Sequence, residues 1–507
     1  MKNLIAIFLT ITLYCGKVNG QFNEPKSPTF SGTFQCIKET VPDSILIVSY
    51  PQTVMKNKTS RTIKLDNDGN FNFKLSEIKK TSYIRMIAYN AGRQTIIGSY
   101  FVEPDDNVTI KIVDHPKREW LGGLPIAINF IGNGSEKYNM IEKLQDQYQE
   151  YRKQLKTIKF DLVSDTPSLS YILKNVTDLS ISFAQKKERL INENKTINPD
   201  IRILLNNEYG MYYNSWLTIM EGYINEFKHS PNLLTIVRAY FNKYQKTLFV
   251  KPSEVSVISP IYIQTLVLGL KSSIKINDTN GKIDLKKYYY LVKNSYSGLI
   301  QERLLTEFFT TPQSLIDISN FDQNTYDTLV VDASKFITNP LYSNLISEKI
   351  KLKKGGKLFD AEFIDLNGNP FNTASLKGKI ILIDIWGEGC TACAIFHQKF
   401  EKEIYPEFKD NKDFVVLSIS VDTKKDKWLN GIKSGKMSSN HYINISTGDL
   451  SIRHPFLKYY GIYAIPFILL VDKEHRNIAN LSSVGLTLKS NEIIDMINNA
   501  LGNSKAK

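Results

Sequence analysis

Cys390 and Cys393 stand three residues apart in the run Trp386-Gly-Glu-Gly-Cys390-Thr-Ala-Cys393. This spacing suits thiol–disulfide exchange. A dithiol must bring its sulfurs close enough to bridge without strain. Residues i and i+3 on the first turn of a helix share one face and meet that need. Cys390 then sits at a helix N-terminus, where the partial positive charge favours a thiolate and lowers its pKa. Cys390 is therefore the expected nucleophile. Cys393, one turn further in, is the expected resolving thiol that frees the substrate from a mixed disulfide.

Asp384 precedes the pair in the apolar run Ile380-Ile-Leu-Ile-Asp-Ile-Trp386. Strand alternation places Asp384 and Trp386 on the same side. A carboxylate inside so apolar a strand is costly without a task or partners. With its pKa raised by burial, it is the expected acceptor of the Cys393 proton, directly or through one water. The competing reading is a strand-end aspartate satisfied by backbone donors. Ile465-Pro466 lies well downstream and leads into a second apolar run, Phe467 to Asp472.

Other chemistries for the same residues differ in what they require. A peroxidase of the peroxiredoxin kind wants Pro-x-x-x-Thr-x-x-Cys, yet Ile383 and Gly387 occupy those two positions. A copper or zinc site would use Cys390, Cys393 and His397 at i, i+3 and i+7, with His454 as a fourth ligand. Against it, His397 reads as an exposed helix residue between Phe396 and Gln398, so no metal is expected. A further alternative is a client-binding envelope protein with an accessory redox domain.

The elements that must position these residues follow Lys351-Leu-Lys-Lys-Gly-Gly356, a charged, glycine-bearing boundary. Asn367-Gly368 is a hairpin signal. Strand Ile380 to Trp386 feeds a helix from about Cys390 to Phe408. Strand Phe414 to Ser420, a helix around Lys424 to Ile432, strand Tyr442 to Ile445 and a helical piece Pro455 to Tyr460 come next. Strands Phe467 to Asp472 and Asn477 to Leu481, then a helix Asn491 to Leu501, close the series. Continuous apolar strands between helices imply an α/β sheet covered on both faces.

Upstream, residues 28–115 carry short apolar or alternating runs, such as Asn107-Val-Thr-Ile-Lys-Ile-Val113, separated by turns such as Asp66-Asn-Asp-Gly69. That is the pattern of an antiparallel β-sandwich. From about Ser135 to Ile350 the periodicity is helical, with Pro199, Pro231 and Pro260 near helix starts. The aromatic stripe Tyr209, Tyr212, Tyr213 and Trp216 reads as core rather than as a binding groove.

The 507 residues exceed one ordinary core, and an apolar fraction of 42% supports several. The expected layout is a signal peptide over 1–20, a β-sandwich domain over 21–116, a mainly helical domain over 117–350 and a redox domain over 351–507. The signal is read from Lys2, the 12-residue apolar run Leu4 to Cys15, and Val18-Asn19-Gly20 before a cleavage at Gln21. Lipidation at Cys15 is the alternative and the only route to membrane attachment. Tyr14 is bulky for it, and no later run reaches about 18 uncharged apolar residues. Of the four cysteines, Cys36 reads as a buried small apolar residue, so no disulfide scaffold is expected. The net charge of +13 is spread among many carboxylates, without any nucleic-acid module, so nucleic-acid binding is not expected.

Residues 355–507 resemble thioredoxin-fold proteins of the exported TlpA/ResA type. The resemblance rests on Asn367-Gly368, Leu376-Lys-Gly-Lys379, Asp384-Ile-Trp386, Cys390-x-x-Cys393 and Ile465-Pro466. It implies a cis Ile465–Pro466 peptide beside the cysteines, leaving the Ile465 backbone free to pair with an extended substrate segment. Trp386 is counted with Ile465 and Pro466 as substrate-binding. It further implies protein thiol or disulfide substrates, an external redox partner, no cofactor beyond the dithiol, and action in the periplasm or cell envelope. The whole layout resembles multidomain exported proteins of Bacteroidetes. Two departures bear on redox direction: Gly389 stands where many relatives carry a large aromatic, and Thr391-Ala392 replaces the common Gly-Pro or Glu-Pro. Reduction is preferred over oxidation.

Overall fold

The computed structural model describes residues 27–35, 41–50, 59–90, 93–114, 126–160, 165–208, 211–249, 251–278, 283–311, 318–319, 322–482 and 489–502. The signal segment, Cys15 and Cys36 lie outside the described residues. The described residues fall into two units that divide near Glu142.

Among the described residues the first unit holds eight strands: β1 (Thr29–Gln35), β2 (Ser44–Tyr50), β3 (Thr59–Lys64), β4 (Asn70–Lys74), β5 (Ser82–Asn90), β6 (Arg93–Val102), β7 (Asn107–Asp114) and β8 (Ile126–Asn133). They form two four-stranded sheets, ordered β4-β1-β7-β8 and β3-β2-β5-β6. Alternation builds the core: Val108, Ile110 and Ile112 of β7 are buried while the residues between them are exposed. Tyr100 of one sheet meets Phe130 of the other, ring centroids 5.3 Å apart. The sandwich is antiparallel except at one pairing, where β1 runs parallel to β7 with Thr29 opposite Asn107. β8 lies beyond residue 116 and pairs along the length of β7.

The second unit begins within α1 (Ser135–Leu155) and continues as α2 (Thr166–Glu193), α3 (Pro199–Glu208), α4 (Met211–Glu226), α5 (Pro231–Leu248), α6 (Pro260–Asn277), α7 (Leu285–Ser295), α8 (Gly298–Thr310), α9 (Gln323–Ala333) and α10 (Pro340–Lys351). Pro199, Pro231, Pro260 and Pro340 open their helices, where a missing N–H costs nothing. Two-residue strands, β9 (Ile283–Asp284) and β10 (Ile318–Ser319), pair in parallel. Trp216 is fully buried, stacks on Phe241 and donates to Thr177 Oγ1 at 3.0 Å. Of the expected aromatic stripe, Tyr212, Tyr213 and Trp216 are buried, and Tyr209 lies outside the described residues.

The C-terminal α/β region follows with β11 (Glu362–Asp365), β12 (Pro370–Asn372), β13 (Ile380–Trp386), α11 (Thr391–Lys399), β14 (Phe414–Ser420), α12 (Lys425–Lys433), β15 (Ile443–Ser446), α13 (Pro455–Tyr460), β16 (Phe467–Val471), β17 (Asn477–Asn480) and α14 (Ser490–Leu501). Its sheet runs β12-β11-β15-β14-β13-β16-β17. Every residue of β13 is buried, as a central strand covered on both faces requires. The single helix expected to reach Phe408 is interrupted. After α11 the chain widens into a π-turn, Phe400–Ile404, and tightens into a 3₁₀ turn, Tyr405–Glu407. Pro406 has no N–H to continue an α-helix there. The boundary segment is tied to this domain. Leu352 enters its core, Lys351 Nζ donates to Tyr459 O at 3.1 Å, and Asn477 Nδ2 donates to Lys351 O at 3.0 Å.

Candidate active site

β13 and α11 carry the pair. Alternation sends Ile381, Ile383 and Ile385 into the core on one face of the sheet. On the other face Ile380 and Leu382 pack with Phe396 and Phe400, and Trp386 packs with Cys393. Asp384 lies on this second face, between those two groups. In register it faces Ser418 on β14 and Ile468 on β16.

Cys390 caps the N-terminus of α11, and its Sγ accepts the Cys393 N–H at 3.1 Å. The two cysteines are joined in a disulfide, Cα–Cα 5.3 Å. Cys393 is 1% exposed, whereas Cys390 is only partly buried. An incoming thiol or thiolate therefore meets Cys390 first. Gly389 has a φ of +83°, which only glycine adopts without strain, and its Cβ direction is open. A large aromatic at this position would carry a backbone penalty in this loop.

Asp384 is 4% exposed, and its Oδ1 has no hydrogen-bond partner. Burial raises its pKa to about 7. Backbone donors thus do not satisfy that oxygen, and the carboxyl takes up or releases a proton near neutral pH. Tyr442 stands within electrostatic reach of it, with its own pKa raised by burial first and by the Glu401 carboxylate next.

The peptide Ile465–Pro466 is cis. Ile465 packs against the cluster of Trp386, Cys393, Trp428, Ile432 and Met437 that also holds Cys390. Cys390, Cys393, Trp386 and Ile465 therefore belong to one cluster, with Asp384 next along β13.

Trp386 is corrected as a substrate-binding residue. It is fully buried, donating from Nε1 to Ser418 Oγ at 2.7 Å, so it supports the cysteines from beneath and presents no surface to a partner. A Cβ at Gly431 of α12 would lie 2.4 Å from the Trp386 ring, so this close approach needs glycine. The histidines also differ from expectation. His397 is 2% exposed, because Cys393, Phe396, His397 and Phe400 form the inward stripe of the helix at i, i+3, i+4 and i+7. His454 caps α13: Nδ1 accepts the Phe456 N–H at 3.3 Å, which leaves Nε2 to donate to Glu362 O at 2.8 Å. Both its nitrogens are engaged in holding the fold. Among the described residues, no group of three or more His, Cys, Asp or Glu is arranged to hold a metal ion.

Sequence reasoning missed the groups that fix the loop before Cys390. Asp422 Oδ2 accepts the Glu388 N–H at 2.9 Å and the Ser420 hydroxyl at 3.0 Å. Behind Trp386, Ser418 bonds Ser438 at 2.7 Å, and Ser438 donates to Asn444 Oδ1 at 2.7 Å. The available signal was Ser418 and Ser420 at i and i+2 in the apolar strand Phe-Val-Val-Leu-Ser-Ile-Ser.

The seven-stranded sheet, the helix capped by the dithiol and the cis-proline loop together define a thioredoxin-fold redox domain. Residues 378–477 match the family model described as "Thioredoxin-like". The chain is 23% identical over 141 residues to the thiol-disulfide oxidoreductase ResA of Bacillus cereus, covering 28% of this chain and 76% of that protein. Among solved structures, it is similar to the thioredoxin domain of a thiol-disulfide oxidoreductase from Bacteroides vulgatus. That match is 26% identical, covers 29% of this chain and 97% of the other, and has a TM-score of 0.25. A thioredoxin-like protein from Bacteroides caccae covers 60% of this chain and 95% of its own at 16% identity and a TM-score of 0.31. The C-terminal domain is of the TlpA/ResA type.

Proposed function

We propose that this chain is an exported thiol–disulfide oxidoreductase working as a reductase through Cys390 and Cys393, in a domain spanning 351–507. The observation that carries this reading is the unequal exposure of two bridged cysteines at a helix N-terminus, next to a buried carboxyl whose Oδ1 lacks a hydrogen bond.

In the reduced protein, the Cys390 thiolate attacks a substrate disulfide. One Cys390–substrate bond forms, the substrate S–S bond breaks, and a substrate thiolate leaves. Asp384, ionised at that moment, takes the proton of the Cys393 thiol. The Cys393 thiolate then attacks Cys390 Sγ, closing the intramolecular disulfide and releasing the second substrate thiolate. Two electrons pass to the substrate, and an external dithiol reductant returns them. The Ile465 backbone pairs with an extended substrate segment, Pro466 holds it exposed, and Trp386 supports the pair from below. Substrates are protein disulfides in the cell envelope, reached through the segment 1–20. Among the described residues no helix is long and apolar enough to cross a membrane.

The test is trapping. Cys393→Ser accumulates mixed disulfides with envelope proteins on non-reducing gels, whereas Cys390→Ser accumulates few. Equal trapping by both variants, or none by either, overturns the assignment of nucleophile and resolving thiol.

A further inference from the structure

The helical region contains a cavity of about 430 Å³ between α2, α3, the start of α4 and the end of α5. Its apolar wall is built from Ile181, Ala184, Ile203, Leu248 and Phe249, with Tyr213 from the aromatic stripe. Two buried polar side chains also line it. Lys187 is 3% exposed, and its Nζ donates to Asn206 O at 2.7 Å. Asn207 is fully buried. Its Nδ2 donates to Ser256 Oγ at 2.6 Å, while its Oδ1 has no hydrogen-bond partner. Native folds leave few buried amide oxygens unpaired, and this one belongs to a residue that lines the cavity.

These groups constrain an occupant from three sides. The charged residues lining the cavity are Lys187, Lys251 and Glu188, a balance of one positive charge that fits a monoanion and opposes a metal cation. Asn207 Oδ1 calls for an N–H or O–H donor. The apolar wall calls for a hydrocarbon body, and the volume is that of a small-molecule site. We propose that this cavity binds a small carboxylate with a neighbouring N–H and an apolar side chain, the chemistry of an N-acylated amino acid or a peptide C-terminus. The carboxylate pairs with Lys187, the N–H donates to Asn207 Oδ1, and the side chain lies along Ile181, Ile203 and Leu248. Burial lowers the Lys187 pKa to about 8, a penalty that a bound carboxylate offsets. The site is separate from the dithiol and stands whether or not the redox assignment does.

Calorimetric titration of the full chain with N-acetyl-leucine tests it. Binding is expected, with a loss of about tenfold or more for N-acetyl-leucinamide, which lacks the carboxylate, and for 4-methylpentanoate, which lacks the N–H. Lys187→Met, which replaces the buried cation by a side chain of similar length, is expected to weaken N-acetyl-leucine about tenfold or more. Should that variant fail to fold, the comparison of the three ligands on the natural chain still decides. Acetyl-Ala-Ala-Leu binding as tightly as N-acetyl-leucine assigns the site to peptide ends, and weaker binding assigns it to the free acylated amino acid. No binding of N-acetyl-leucine at millimolar concentration, equal binding of the amide, or unchanged affinity in a folded Lys187→Met protein overturns the proposal.

Discussion

Replacing Asp384 by Asn separates charge from shape at the centre of the site. Burial lifts the carboxyl from 3.8 to about 7. Between those pH values the folded protein keeps its proton while the unfolded chain loses it. Stability therefore falls as pH rises through that window and levels off above it. At about 1.4 kcal/mol per unit, the loss grows by about 3 kcal/mol between pH 5 and pH 8, most of it before the folded carboxyl ionises near pH 7. The difference, about 3 kcal/mol, vanishes in Asp384→Asn, which carries no ionisable group there. A buried amide without full hydrogen bonding costs about 1–3 kcal/mol, but equally at both pH values. The comparison thus cancels it. Urea unfolding of the oxidised full chain at pH 5 and pH 8, followed by tryptophan fluorescence, reads the effect. The variant gains about 3 kcal/mol relative to the natural protein on going from pH 5 to pH 8. Parallel stability profiles for the two proteins would refute the reasoning, since they would mean that ionised Asp384 is not penalised by its surroundings.

Gly431→Ala drives a Cβ to within 2.4 Å of the Trp386 ring and lowers the stability of the redox domain by about 1–3 kcal/mol, seen in thermal melts with altered tryptophan fluorescence. Gly222→Ala, in the middle of α4 with nothing within 4 Å of its Cβ position, instead stabilises the helical region by about 0.5–1 kcal/mol. Asp422→Ala strips the acceptor from Glu388 N–H and Ser420 Oγ; it costs about 1–2 kcal/mol by urea unfolding and slows disulfide reduction through a loosened Cys390 loop. Glu302→Ala removes the carboxylate that accepts from Thr338 N, Thr338 Oγ1 and Asn339 N at the start of α10, and costs about 1–3 kcal/mol in the helical region.

Period and punctuation made most of the elements readable. The run Ile380 to Trp386 is too uniformly apolar for anything but a central strand, and the prolines opening α3, α5 and α6 mark helix starts that the chain uses. β3 escaped because Thr-Ser-Arg-Thr-Ile-Lys is an edge strand, largely exposed, with no apolar alternation to report it. The parallel β1–β7 pairing was equally silent, since partner and direction are set by tertiary packing and not by either strand's own pattern. In the site, the cysteines and Asp384 were legible because their types are conspicuous in their settings. Trp386 was misassigned because alternation gives a face without saying whether a helix covers it, and α11 and α12 do. Asp422 acts from another strand's end, a contact between distant segments that local sequence does not encode.

The most direct test of the central claim is the reduction potential of the Cys390–Cys393 couple. Equilibrating the full chain with dithiol buffers and following tryptophan fluorescence gives it, since Trp386 packs against Cys393. A single two-electron transition near about −270 mV is the predicted result for a reductase. A transition near about −120 mV, the range of strong oxidants, or the absence of any two-electron transition would contradict the account.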